Sequence, residues 1–211
     1  MKRKSIKKQL TKFKDDASKC QICREAGLLY KHENGKWAYP LFDKNLECRS
    51  GVLAIAEAPN EKDTFDPKKS YLSYDIETDP TGNFFRELLH SVNLTVHDVI
   101  ITNSVLCLPA AKNGKYPVSS RQISMCSTWV SRLISEVNPE VVLTLGGKAL
   151  EAIKKIDRHS LTLSSGAGKM HSWYGRKLLP LYHPSLRGRA NRKADLQKKD
   201  ISVLKKYLQI S

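Results

Sequence analysis

Residues 52–64 read VLAIAEAPNEKDT. Five small apolar residues, Val52 to Ala56, run without a polar break, the pattern of a strand buried on both faces. The run stops at Glu57, and Ala58, Pro59 and Asn60 then turn the chain. A core strand that ends on a carboxylate and a stiff proline turn delivers a charged group to a sheet edge on a rigid support.

Three further runs have the same character: DVIITNSV (98–105), EVVLTLG (140–146) and LLPLYH (178–183). Between them lie helical periodicities. GNFFRELLHSV gathers Phe84, Phe85, Leu88 and Leu89 on one side, and SSRQISMCSTWVSRLISEV repeats apolar residues from Ile123 to Val137 at steps of three and four. Ser119 or Ser120 is suited to cap that second helix. GKALEAIKKI and ADLQKKDISVLKKYLQI read as further helices. Strands alternating with helices predict an α/β fold, a three-layer α/β/α sandwich around a central, mostly parallel four-stranded sheet. In such folds sites gather at the carboxyl ends of the strands. Glu57, Asn103, Gly146 and His183 all fall at or just beyond such ends.

The chain has 211 residues, enough for one domain with its own core. Lys and Arg number 36 against 21 Asp and Glu, a net charge of +15, which favours a polyanionic partner such as nucleic acid. The excess is concentrated in MKRKSIKKQLTKFK at the start and RGRANRKADLQKK after residue 186. No apolar run approaches the ~20 residues of a membrane span, and no secretory signal follows the first basic segment. The expectation is a protein of the cytoplasm or another intracellular setting, bacterial, archaeal or viral-host, with DNA as partner, no membrane, and a monomeric state.

There are five cysteines, Cys20, Cys23, Cys48, Cys107 and Cys126. Cys20 and Cys23 form a CxxC pair, with Cys107 after the second strand and Cys126 in the next helix. Spacing alone admits an iron–sulfur cluster, a zinc site, or no metal with Cys126 simply apolar core. Cys48 has no evident role. His183, in LYHPSLRGR, is followed by Ser185, Arg187 and Arg189, residue types that commonly contact phosphate. A lone strand-end histidine is more often structural, and Asn103 in ITNSVLC could equally cap a turn. The coincidence of Glu57, Asn103 and His183 at three strand ends favours chemistry, since a side-chain amide can read the edge of a base.

Together these stretches resemble the uracil-DNA glycosylase superfamily, most closely its family 4, the iron–sulfur type. The family's GE(A/G)PGxxE(E/D) motif is matched by AEAPNEKDT, its ITNxxKCxPP segment by ITNSVLCLPA, and its HP(A/S) motif by HPSLR. The resemblance covers roughly residues 20 to 208. It implies a monofunctional DNA glycosylase that flips a base, hydrolyses its N-glycosidic bond and leaves an abasic site. On it, residues 1–19 form a basic helical extension and 20–211 a single glycosylase-like domain. Cys20, Cys23, Cys107 and Cys126 hold a [4Fe-4S] cluster, with zinc as the alternative. Glu57, Asp63 and His183 are catalytic. Ala58, Asn60, Asn103 and Tyr74 face the base, with Tyr71 an alternative to Tyr74 as the stacking ring. Ser185, Leu186, Arg187 and Arg189 meet DNA, with Leu186 the wedge that fills the vacated stack.

The chain departs from the pattern at Asn60 and Ala56, where the motif has glycine, and KKSYLSYDIETDP replaces the family's GRPFVGxAG segment. Uracil is the expected base and base-excision repair the expected role. One alternative is the same chemistry on a larger base, such as a modified cytosine of phage DNA, in defence. Another is a cluster-containing DNA-binding protein without catalysis.

Overall fold

The apolar run at Val52–Ala56 is a strand with all five residues buried, and alternate side chains enter two different cores. In the computed structural model, which describes residues 2–43, 51–65, 71–72 and 79–208, the elements follow in order. The first half holds α1 (Lys2–Ser18), α2 (Ile22–Glu25), β1 (Phe42–Asp43), β2 (Val52–Ala56), α3 (Glu61–Phe65), β3 (Tyr71–Leu72), α4 (Pro80–His90) and β4 (Ile100–Asn103). The second holds α5 (Ser120–Val137), β5 (Val141–Leu145), α6 (Gly147–Ile156), α7 (Leu163–Gly166), β6 (His171–Trp173), β7 (Arg176–Leu181), α8 (Leu186–Asn191), α9 (Ala194–Ile201) and α10 (Leu204–Tyr207).

The main sheet has the order β4-β2-β5-β7-β6 and is parallel except for β6. Leu53 and Ile55 face a core built with α1, α5 and α6; Val52, Ala54 and Ala56 face one built with α4, α9 and α10. The α/β/α layering is thus as the period-two and period-3.6 patterns predict, but the sheet has five strands, not four. The additional strand is HSW at 171–173, too short and too polar to register as apolar. It pairs with β7 through Tyr174 and Gly175, both at positive φ, the backbone that a two-residue hairpin needs.

Helix α5 begins where its signal placed it. Ser119 is the N-cap, its hydroxyl accepting from Gln122 N–H while the Gln122 side chain returns to Ser119. The C-terminal helix expected over 194–210 is instead broken at Ser202–Val203. There Lys205 and Lys206 N–H bond three residues back, to Ser202 and Val203, and Ser202 Oγ donates to the Lys199 carbonyl. That competition for backbone acceptors ends the α9 ladder.

Helix α1 lies on α5. Leu10, Phe13 and Ala17 are fully buried, with Phe13 edge-on to Phe42 (5.6 Å) and Trp129 (6.1 Å). Arg132 of α5 covers the Phe13 ring at 5.6 Å and bonds Asp16 at 2.8 Å. Phe13→Ala is expected to cost about 3–5 kcal/mol, the range for emptying a buried aromatic site, as measured by urea denaturation.

Candidate active site at the carboxyl edge

The parallel register aligns the end of β2 with the end of the edge strand β4. Ala56 pairs with Asn103, so Glu57 and Ser104 are the next residues out on β2 and β4. Ser104 N–H donates to the Ala56 carbonyl (2.8 Å), and the Glu57 carbonyl accepts from Ser104 Oγ (2.6 Å) and Val105 N–H (3.2 Å). The Glu57 backbone is therefore pinned to the neighbouring strand, and only its carboxylate is left to project. Burial pushes that carboxyl above its ordinary value, while Lys148 in the first turn of α6 and Arg187 of α8 pull it back.

Asn103 is completely buried, and among the described residues neither its amide oxygen nor its amide nitrogen has a hydrogen-bond partner. An amide with both ends unsatisfied costs several kcal/mol of desolvation unless something else pairs with it, roughly 1–3 kcal/mol per group. The Thr144 hydroxyl on β5 is likewise buried without a partner.

His183 lies two residues past β7 and is packed against the turn after β5. Gly146 sits there at φ +95°, its N–H bonded to the Leu181 carbonyl, and a Cβ at that position would come 3.2 Å from His183 Cβ. Ser185 N–H donates to His183 Nδ1 at 3.2 Å, so the ring proton resides on Nε2, which is the available donor. Burial lowers the imidazole pKa against the opposing pull of Asp79, keeping the ring neutral around pH 7.

Ser185 also caps α8, its hydroxyl accepting from Gly188 N–H (3.2 Å). The helix starts so close to His183 that a Gly188 Cβ would lie 1.8 Å from the His183 carbonyl oxygen. Leu186 is 68% exposed, an apolar side chain standing out from the first turn beside exposed Arg187. Arg189 is turned inward, its guanidinium 4.9 Å above the Phe84 ring.

Asn60 and Asp63 have become a local unit. Asp63 N–H donates to Asn60 Oδ1 (2.7 Å) and Asn60 Nδ2 donates to Asp63 Oδ2 (3.2 Å), so Asn60 caps α3 and buried Asp63 returns the bond. The Asn60 amide, expected to face a base, thus has its oxygen and one N–H occupied within the turn. Ala58 is half-buried against the α5/α6 core. Tyr74 and Cys48 lie outside the described residues, as does most of the segment that replaces GRPFVGxAG.

Cys20, Cys23, Cys107 and Cys126 line one mainly apolar concavity with Leu29, Pro40, Met125 and Trp129. Leu106 N–H points at Cys126 Sγ (3.4 Å). Burial, then the proximity of the other thiols, raises the Cys23 and Cys107 pKa values. Burial likewise raises Cys126 to about 12, with the Leu106 N–H opposing it. Four sulfurs drawn to one hollow, with Cys23, Cys107 and Cys126 costly to ionise alone, match the donor set of a four-thiolate group whose metal charge would stabilise the thiolates. Among the described residues no three His, Cys, Asp or Glu side chains converge on the single point that one metal ion would need.

Sequence reasoning missed Lys148 and Asp79, the charges that flank Glu57 and His183. Each belongs to a different element from its partner, and no local pattern marks the pairing.

Residues 45–209 match the family model described as the uracil DNA glycosylase superfamily. The chain therefore belongs to that superfamily. It is 30% identical over 186 residues to the type-4 uracil-DNA glycosylase of Saccharolobus solfataricus, covering 81% of this chain and 73% of that protein. It is also 30% identical over 175 residues to the type-4 uracil-DNA glycosylase of Thermotoga maritima, covering 78% and 80%. Among the described residues no helix is long and apolar enough to cross a membrane.

Gly188→Ala is expected to push α8 off His183. Base release and duplex binding should both fall, while the far-UV circular dichroism of the sheet and major helices is retained.

Proposed function

We propose that this protein hydrolyses the N-glycosidic bond of a nucleotide flipped out of DNA, with uracil as the base, leaving an abasic site. The observation that carries this reading is the buried Asn103 amide, which offers an unpaired donor and an unpaired acceptor at the end of a rigid strand. A uracil edge, with one carbonyl and the adjacent ring N–H, complements that pair. That its relatives are uracil-DNA glycosylases supports the choice of base.

Bond cleavage leaves positive character on the sugar and negative charge on the departing base. Neutral His183, with its proton on Nε2, donates to the base oxygen as that charge grows. Glu57, backbone-pinned and flanked by Lys148 and Arg187, supplies the carboxylate that stabilises the sugar cation and orients the attacking water. Asp63, fixed by Asn60, is the second acid. Leu186 enters the vacated stack, Ser185 and Arg187 meet the strand beside it, and Arg189, stacked inward on Phe84, supports them from within α8.

Cys20, Cys23, Cys107 and Cys126 would hold a [4Fe-4S] cluster. Thiolates of a cluster bind separate irons, which suits sulfurs that share a hollow without meeting at one point better than a single zinc does. The cluster's contribution is to cross-link α2, α5 and the loop after β4.

A second reading of the base has its own observation. No group among the described residues fixes which end of the Asn103 amide faces the pocket, so the same side chain, turned over, complements the amino edge of cytosine. Single-turnover release from duplexes carrying uracil, hypoxanthine, cytosine or hydroxymethylcytosine decides between the readings. Release from uracil alone is expected; release only from modified cytosine overturns the uracil assignment, and release from none leaves a DNA-binding protein. His183→Ala should slow release by about 10²–10³, the cost of removing one preorganised donor to a developing anion.

The pH dependence has a definite sign. Glu57 must be ionised and its pKa is raised, so activity should fall on acidification through a value above the ordinary carboxylate. Lys148→Ala removes a charge that lowers that pKa and should move the acid limb to higher pH. Burial lowers the His183 pKa, so the ring is neutral at pH 7 and its protonation adds to the loss of activity only on the acid side. Purified protein with a cluster should be brown and contain iron and sulfide. A colourless, zinc-loaded preparation would replace the cluster with zinc.

A further inference from the structure

Helix α3 carries Asp63 and begins at the Asn60 cap, yet it is five residues long and the residues it buries are Asp63 and Thr64. A single helical turn whose one apolar residue is Phe65 does not hold itself in place. Its first residue is Glu61, a position the family motif leaves unspecified, and its last is Phe65. Tyr116 Oη donates to Glu61 Oε2 at 2.6 Å and Tyr30 Oη donates to Glu61 Oε1 at 3.1 Å, so each carboxylate oxygen is held by a different tyrosine. The two rings meet edge to face at 5.2 Å, and Phe65, the last residue of α3, packs edge-on to Tyr30 at 5.7 Å.

Both tyrosines belong to the small layer that also carries thiols. Leu29, Ala38 and Leu108 form its core, with Cys23, Cys107, Trp37, Tyr30, Phe65 and Tyr116 packed around them. Tyr30 is fixed there by backbone bonds to Leu108 and Ala38, and Leu28 N–H reaches the Cys23 carbonyl. The contacts run unbroken from the thiol-bearing loops through the two phenols to Glu61, and through α3 to the Asn60–Asp63 pair.

We propose that Glu61 is a positioning residue: clamped by Tyr30 and Tyr116, it fixes α3 and so holds Asp63 in register with Glu57 for cleavage of the flipped nucleotide. The proposal rests on the glycosylase reading for its kinetic consequence, but the mechanical coupling is separable from it. Phenol-to-carboxylate bonds are charge-assisted and directional, and two of them on one carboxylate fix a side chain that would otherwise turn freely in solvent.

The test compares wild type with Glu61→Ala and with Tyr30→Phe/Tyr116→Phe, which keeps both rings and removes only the hydroxyls. Hydrogen exchange of the Asp63 and Thr64 amides should accelerate about tenfold in each variant, the scale of one lost charge-assisted hydrogen bond, while α5 exchanges as in wild type. Base release under single-turnover, enzyme-saturating conditions should also slow, with DNA Kd within about twofold, because the clamp acts on the reaction and not on phosphate contacts. Combining all three substitutions should be no worse than Glu61→Ala, since both sets remove the same clamp.

Unchanged exchange at Asp63 and Thr64 would overturn the proposal, as would acceleration spread equally over α5. Additive effects in the combined variant would do so too. If wild type releases no base from any duplex, the exchange measurements still decide the coupling, and it is the glycosylase reading alone that fails.

Discussion

Strand β2 is buried on both faces and paired on both sides, and the site depends on that constraint. A strand so enclosed has no freedom to slip, because a one-residue shift would exchange its two faces and drive Leu53 and Ile55 into the wrong core. The register with β4 then follows, Ala56 lies opposite Asn103, and the chain leaves the sheet at Glu57 with its carbonyl already bonded to Ser104 and Val105. Side chains from separate segments converge because their strands end together at one edge. Hydrophobic burial fixes the frame, and the polar groups are placed where the frame stops.

Two kinds of support act on those polar groups. Asn103 and the Glu57 backbone are set by the sheet itself. His183, Asp63 and Leu186 sit on turns and one- or two-turn helices, held by specific local bonds: Ser185 to His183, Asn60 to Asp63, Gly188 against the His183 carbonyl. Short elements of this kind cannot draw on a large apolar face. Their geometry is as good as the few hydrogen bonds and close packings that define them, which is why glycine is required at Gly188 and a small polar cap at Asn60.

Much of the frame was legible in the sequence. The four longer strands each contain a short apolar run, and the cap of α5 is a Ser-x-x-Gln pattern with a direct mechanism. Strand β6 was hidden because HSW has neither length nor alternation, and the C-terminal helix kept its periodicity across a break made by Ser202. In the site, Glu57, Asn103 and His183 could be singled out because each follows an apolar run. At Asn60 a second pattern is present: Asn-x-x-Asp is itself a capping pattern, and the amide is engaged by Asp63. The clamp on Glu61 was invisible, since Tyr30 and Tyr116 stand 31 and 55 residues away from it and nothing local pairs them.

The seat of α1 has a consequence for the order in which the molecule is assembled. Asp16 and Arg132 are 116 residues apart, and Phe13 needs Trp129 to complete its surroundings. At a synthesis rate of about 5–20 residues per second, α1 waits on the order of ten seconds for its partner helix to be made. Cys20 and Cys23 wait with it, because Cys107 and Cys126 emerge in the same later stretch. The early part of the chain is thus strongly basic and carries two thiols with no hollow around them, so closure of the thiol pocket and docking of α1 on α5 belong to one late event.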